Sequence, residues 1–295
     1  MDANHRRRTG FALIAFGVVV ALCAAVPNAA SGTAVAPSAP AGSAAPAAIG
    51  GLTWADDFSG ASGSGPDGSK WAHDTGGGGW GNSELEYYTN STSNAALDGN
   101  GHLIITARKE NPNNYNCWYG RCTYTSARLL TSGHFTQTYG RFESRIQLPR
   151  GQGLWPAFWM LGSNIGSVGW PNCGEIDVME NIGREPSINH GSMHGPGYSG
   201  GNSITGSYNN GSALADTYHV FRLDWGPSSA QFSVDGNVYE TRTPSDTRGN
   251  PWVFNHPFFM LLNVAVGGGW PGSPDGSTQF PQQMKIDYVH VYSWT

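Results

Sequence analysis

An all-β sandwich is the fold this sequence predicts, and three observations carry that expectation. From Gly50 onward, short runs rich in Val, Ile, Phe, Tyr and Trp alternate with Gly/Asn/Ser/Pro turns. Of 295 residues 42 are Gly, 12% are aromatic and only 13% are charged, a composition that suits a rigid, turn-rich secreted protein. No helical period holds for long anywhere in the mature chain. The roughly 245 residues that follow Gly50 fit one β-sandwich domain, with no internal repeat and no second domain.

The elements follow in chain order. Residues 1–30 read as a secretory signal peptide: Arg6, Arg7 and Arg8 precede an apolar run from Phe11 to Ala25, and small residues follow. That run falls short of the ~20 residues that span a bilayer. Leu22 stands before Cys23 where a lipoprotein signal wants a small residue, and several Ala-rich cleavage points are compatible with the sequence. Secretion to the extracellular space is therefore expected, with no membrane association after cleavage. Residues 31–49, rich in Ala, Ser, Pro and Gly, read as a disordered linker, and residues 50–295 as the folded domain.

Strands are predicted at Leu103–Ala107, Tyr139–Leu148, Ile176–Met179, Tyr218–Trp225, Gln231–Asp235, Pro257–Val266 and Ile286–Tyr292. Asp235-Gly236-Asn237 leads into Val238-Tyr239-Glu240 and predicts a hairpin. Three cysteines remain after the signal. Cys117 and Cys122 can close a small loop around Trp118-Tyr119-Gly120-Arg121 in an oxidising compartment. Cys173 reads as a small buried hydrophobe rather than a catalytic thiol. Net charge is −5 with no basic patch beyond the N-terminus, which disfavours nucleic acid, anionic membranes and polyanionic substrates. Nothing calls for an obligate protein partner, and a monomer is expected.

The most informative run is Glu175-Ile176-Asp177-Val178-Met179-Glu180. Carboxylates so close together disfavour joint ionisation, so a chain keeps them where it needs an acid and a base together, or a metal. Trp155-Pro156-Ala157-Phe158-Trp159 lies upstream, and paired carboxylates beside aromatic platforms suggest a carbohydrate-cleaving site. In a regular strand residues 175 and 177 share a face while residue 180 faces away. All three share a face only if one residue is inserted between Asp177 and Glu180, which predicts a β-bulge at Val178-Met179.

With its flanks, Gly174-Glu175-Ile176-Asp177-Val178-Met179-Glu180-Asn181 resembles the catalytic strand of glycoside hydrolase family 16, in the bulged form of its laminarinase-like branch. Gly79-Trp80-Gly81-Asn82-Ser83-Glu84-Leu85 resembles that family's first cleft loop. Tyr139 to Glu143, Trp155 to Met160, Gly191 to Gly195, Asp224-Trp225 and Ile286 to Tyr292 match further segments, so the resemblance extends over nearly the whole mature chain. It implies a β-jelly-roll sandwich of two antiparallel sheets with a concave substrate cleft. It also implies retaining endo-β-1,3-glucanase activity on laminarin-type glucans. On this reading Glu175 is the nucleophile, Glu180 the acid/base and Asp177 the residue that orients Glu175. Glu180 should be protonated at rest and Glu175 ionised.

A transglycosylase, an agarase-like galactan hydrolase and a non-catalytic β-glucan-binding protein are the alternatives. A metal held by the three carboxylates is a further one, against which the run itself offers no histidine.

Other positions carry weaker signals. Trp155 and Trp159 share a strand face, with Ala157 between them and Phe158 and Met160 turned to the core. A Trp pair can belong to the core, but the nearby acids favour the cleft, where indole faces stack on sugar rings and the N–H can reach a hydroxyl. Trp270, in Gly267-Gly268-Gly269-Trp270-Pro271-Gly272, reads as a further sugar platform. The resemblance implies that Asn82 hydrogen-bonds a sugar on the non-reducing side; Glu84 reads equally as structural. It implies substrate contact for His194, while Arg145 either reaches the cleft or pairs with an acid. Asp287 resembles a calcium-binding aspartate whose site backbone carbonyls near Asp57 and Gly101 would complete. Such an ion would be structural, with no cofactor needed for catalysis.

Overall fold

A computed structural model describes residues 49–295 of the chain. The signal peptide and all but the last residue of the linker lie outside the described residues. Ile49, assigned to the linker by composition, already pairs with Trp294 at the start of the strand Ile49–Asp56.

Two large sheets carry the fold, and every pairing within them is antiparallel. The eight-stranded sheet runs in the order Asn237–Arg242, Ser229–Val234, His219–Gly226, Gly140–Gln147, Gln282–Trp294, Leu103–Ala107, Ala95–Leu97, and Ile49–Asp56 also pairs with Gln282–Trp294. The seven-stranded sheet runs Ile204–Asn209, Ile188–His194, Glu175–Glu180, Leu154–Gly162, Phe258–Val266, Arg128–Leu130, Ala72–Asp74. The all-β expectation holds, and the predicted strands recur with ends shifted by a few residues. The larger exceptions are Ile286–Tyr292, which belongs to the longer Gln282–Trp294, and the Val238–Glu240 arm, now Asn237–Arg242. The Asp235-Gly236 corner has φ of 50° and 80°, as the tight hairpin turn requires at both central positions.

The core lies between the sheets because each strand alternates. Phe142, Phe221, Leu223 and Trp225 from one sheet meet Phe158, Met160, Ile176, Leu262 and Val264 from the other, all fully buried. The opposite side chains of the seven-stranded sheet point away from the core, and there the acids gather. Among the described residues, no helix is long and apolar enough to cross a membrane.

Candidate active site

The chain enters the acid strand through Gly174. Its φ of 73° lies in the region that favours glycine, and a Cβ there would sit 2.9 Å from the Phe258 ring. Against the neighbouring strand, Asp177 pairs with Ser192 and Glu180 with His190. Three steps along the acid strand therefore match two along its neighbour. On its other side Asp177 pairs with Trp159 and Met179 with Phe158, so Val178 is the inserted residue. This is the expected bulge. It lets Val178 and Met179 both enter the core while Glu175, Asp177 and Glu180 interact on the opposite face.

Each outer glutamate has an indole donor. The Trp170 N–H donates to Glu175 Oε2 at 2.8 Å, and the Trp155 N–H donates to Glu180 Oε1 at 3.0 Å. Asp177 shares a hydrogen bond with Glu175. His194 Nδ1 accepts the Gly200 backbone N–H at 3.0 Å, which leaves the proton of the neutral ring on Nε2. That nitrogen lies 3.0 Å from Asp177 Oδ2 and 3.8 Å from Glu175 Oε1. It is off the line of a good hydrogen bond, so Asp177 Oδ2 is buried without a partner.

Burial dominates the electrostatics. It pushes the Glu175 carboxyl up to about 8, helped by the charge of Asp177, and Asp177 likewise to about 8. Glu180 is driven well above the usual carboxylate range by burial and then by Asp177. A protonated resting Glu180 agrees with the expectation. For Glu175, burial and the charge of Asp177 work against the expected resting ionisation, while the Trp170 hydrogen bond and the nearby His194 favour it. The Cys173 thiol, buried and near Glu175, is raised to about 11, which suits a packing residue and not a nucleophile.

The remaining expected residues divide. Trp155 and Trp159 lie on the acid-bearing face and are partly exposed, with Phe158 and Met160 in the core. Their N–H groups do not reach outward, contrary to expectation. Trp159 donates to Asn263 Oδ1 at 2.7 Å and Trp155 to Glu180, so each offers a sugar its ring and not its N–H. Trp270 packs edge-on against Trp155, with centroids 5.3 Å apart, and against His190. Asn82 is exposed beside them: its carbonyl accepts Gly269 N–H and its amide donates to Glu84 Oε1 at 3.0 Å. His194 is placed by the acids rather than apart from them. Glu175, Asp177 and His194 each bring one atom within 4.8 Å of the others, so the histidine that the run itself lacks is supplied by the neighbouring strand. With its proton on Nε2, His194 offers a cation no lone pair there.

Arg145 lies on the outer face of the eight-stranded sheet, where it pairs with Asp287 and covers Tyr218. It does not reach the cleft. Gly101 lies beside the Asp57 carbonyl, as a calcium site there would need. The Asp287 carboxylate, however, is held by Arg145 with His102 near, and the Asp57 carboxylate binds His290 at 2.7 Å. The one carboxylate the implied calcium site would use is thus already paired with a cation through Oδ2, while the Asp57 contact leaves its backbone carbonyl untouched. Cys117 and Cys122 form the expected disulfide.

Two site residues escape a reading of the sequence. Trp170 sits in Gly169-Trp170-Pro171, the same pattern as Gly269-Trp270-Pro271, and that repetition was the available signal. Arg128 pairs across strands with Asn263 and Asp74. Its guanidinium lies 4.7 Å from the ring centroids of both Trp80 and Trp159, and its charge is felt at Glu175. Nothing in its local sequence marks it.

Known proteins agree with this geometry. Residues 83–290 match the family described as glycosyl hydrolases family 16. A β-glucanase of Rhodothermus marinus is 43% identical over 258 residues, covering 82% of this chain and 85% of its own length. The laminarinase catalytic domain of Thermotoga maritima superposes with a TM-score of 0.77 at 46% identity, covering 83% of this chain and 99% of its own. The endo-β-1,3-glucanase of Pyrococcus furiosus gives 0.76 at 47%, covering 83% and 94%. A bulged acid strand on one face of a two-sheet sandwich, matched along most of its length to these enzymes, makes this chain a member of glycoside hydrolase family 16.

Proposed function

We propose that the chain is a secreted endo-β-1,3-glucanase that retains anomeric configuration. The observation that carries the reading is the bulge, which turns three acids to one face and leaves each outer glutamate with its own indole donor. The relatives named for β-1,3-glucan cleavage supply the linkage.

In the first step a Glu175 oxygen attacks the anomeric carbon and the glycosidic C–O bond breaks. Glu180 gives its proton to the departing oxygen. In the second, Glu180 takes a proton from water, the water oxygen attacks the same carbon, and the bond to Glu175 breaks. Retention by this route needs carboxyls about 5–5.5 Å apart. Asp177 takes up the proton it shares with Glu175, leaving Glu175 anionic for attack, with His194 Nε2 3.0 Å from Asp177 Oδ2 on the neighbouring strand. Two carboxyls complete the cycle, so the reaction needs no metal or cofactor. Ring faces of Trp155, Trp159 and Trp270 support the glucan, and Asn82 reaches it from the first loop.

Reducing-sugar release from linear β-1,3-glucan, mixed-linkage glucan, agarose and carrageenan tests the reading, with Glu175→Gln run beside the parent. Cleavage of β-1,3-glucan that disappears in the variant is expected. Cleavage of a galactan alone would keep the chemistry and replace the substrate. Binding without cleavage would make the chain a glucan-binding protein, and longer oligosaccharides accumulating at high substrate would reveal transglycosylation.

A further inference from the structure

A second carboxyl pair lies beneath the first loop. Glu84 and Glu86 are 4% and 0% exposed, close enough that the charge of Glu84 acts on Glu86. Two buried carboxylates in contact repel, and one proton between them removes the repulsion. The hydrogen bonds around them show where that proton lies.

The Trp159 indole is donor-only, so Asn263 must turn its oxygen to it and its NH2 outward. That NH2 donates to the Tyr88 hydroxyl oxygen at 3.1 Å. The Tyr88 proton then goes to Glu84 Oε2, 3.1 Å away. Asn82 donates to the other Glu84 oxygen. Glu86 Oε2 accepts the Val266 backbone N–H at 2.6 Å, while its Oε1 is buried with no hydrogen-bond partner. A proton on that oxygen, donated to Glu84, satisfies both residues. Every donor then runs toward Glu84, and Glu86 is the neutral acid. Burial and the adjacent Glu84 hold Glu86 well above the usual carboxylate range, which agrees.

We propose that Glu84, backed by a proton on Glu86, is a positioning residue for the non-reducing side of the cleft. Glu84 fixes Asn82 on the loop directly, and fixes the Trp159 ring through Tyr88 and Asn263. One buried anion thus sets the spacing of two substrate contacts that come from different parts of the chain. The proposal rests on the glucanase reading for what those contacts hold.

The test separates positioning from mere stability. Glu86→Gln keeps an acceptor for Val266 and a donor for Glu84, so KM and kcat should stay within about twofold of the parent. Glu84→Gln sets an amide NH2 against groups that already donate. It should raise KM for β-1,3-linked gluco-oligosaccharides about tenfold, the loss of one hydrogen bond to a charged group, with kcat largely kept. Tyr88→Phe cuts only the Trp159 branch and should raise KM less; it serves where Glu84→Gln fails to fold. In a Glu175→Gln background, calorimetric binding of a β-1,3-linked glucotetraose should weaken in the same order. The infrared stretch of a protonated carboxyl should lose one component in Glu86→Gln.

A folded Glu84→Gln or Tyr88→Phe protein with parental KM and binding would overturn the proposal, as would Glu86→Gln binding as poorly as Glu84→Gln. A parent that neither binds nor cleaves any β-1,3-glucan would overturn the glucanase reading and this proposal with it.

Discussion

Two carboxyl clusters share this molecule, and they differ in what satisfies their oxygens. Glu84 and Glu86 end a network that the proposed shared proton closes: an amide, a phenol and a backbone N–H serve three of their oxygens, and that proton takes the fourth, Glu86 Oε1, which has no partner otherwise. Asp177 and Glu180 are buried as well and Glu175 partly so, yet their network stays open. Each outer glutamate has one indole donor, and Asp177 Oδ2 has no partner. The contrast shows that crowded acids alone do not mark a reactive centre. A closed set holds structure in place, and an open one keeps protons and lone pairs available to a substrate.

The largest effect expected from this contrast is at Glu180. Glu180→Gln should slow glucan cleavage by about 10²–10⁴-fold, the usual contribution of a positioned acid/base. On an aryl β-glucoside whose phenol leaves without protonation, the first step should be nearly normal and a glycosyl-enzyme should accumulate. Mass spectrometry of the intact protein during turnover would detect it. Equal loss on both substrates would remove Glu180 from the acid role.

The indole donors come next. Trp170→Phe removes the N–H from Glu175, and loss of a hydrogen bond to a charged group is worth about tenfold in kcat/KM. The acidic limb of the pH profile should move upward, because the Trp170 hydrogen bond helps hold the Glu175 pKa down. Trp155→Phe should cost less. Its partner Glu180 enters the cycle protonated, so the donor matters only once the anion has formed. Steady-state kinetics of the two variants compare them directly, and a larger loss at Trp155 would reverse the assignment of nucleophile and acid.

Much of the open cluster could be read from the sequence, because strand periodicity is a hard constraint. Residues 175 and 177 share a face and 180 cannot, so the bulge followed from spacing alone. Trp155 and Trp159 were placed by the same alternation. Trp170 was not, because it lies outside regular structure in the turn before the strand, where periodicity gives no direction. Arg128 and Asn263 face each other only through the cross-strand register of residues 135 positions apart. Neither has a local motif. No local pattern marks Glu86; it lies against Val266, 180 residues away, whose backbone N–H it accepts. The indole N–H groups were misdirected for a similar reason: the sequence places a Trp on a face but does not say which neighbour takes its proton.

The smallest effect concerns stability, and its sign separates the clusters. Glu175 and Asp177 titrate near 8 in the folded protein, against 4.5 and 3.8 in an ordinary setting. Below about pH 4 folded and unfolded chains are both protonated at these positions. As pH rises from there to about 8, the unfolded chain releases protons that the folded one keeps, so stability falls through that window and levels off above it. Glu175→Gln removes part of this loss. It should raise Tm at pH 8 by a few degrees, at roughly 2–4 °C per kcal/mol for a domain of this size, and leave Tm at pH 4 almost unchanged. Glu84→Gln should instead lower Tm at both values, because it breaks a network in which every donor is already matched. Scanning calorimetry of both variants at the two pH values reads the difference. A Glu175→Gln gain of equal size at pH 4 would mean that packing, and not the stored proton, is what the substitution relieves.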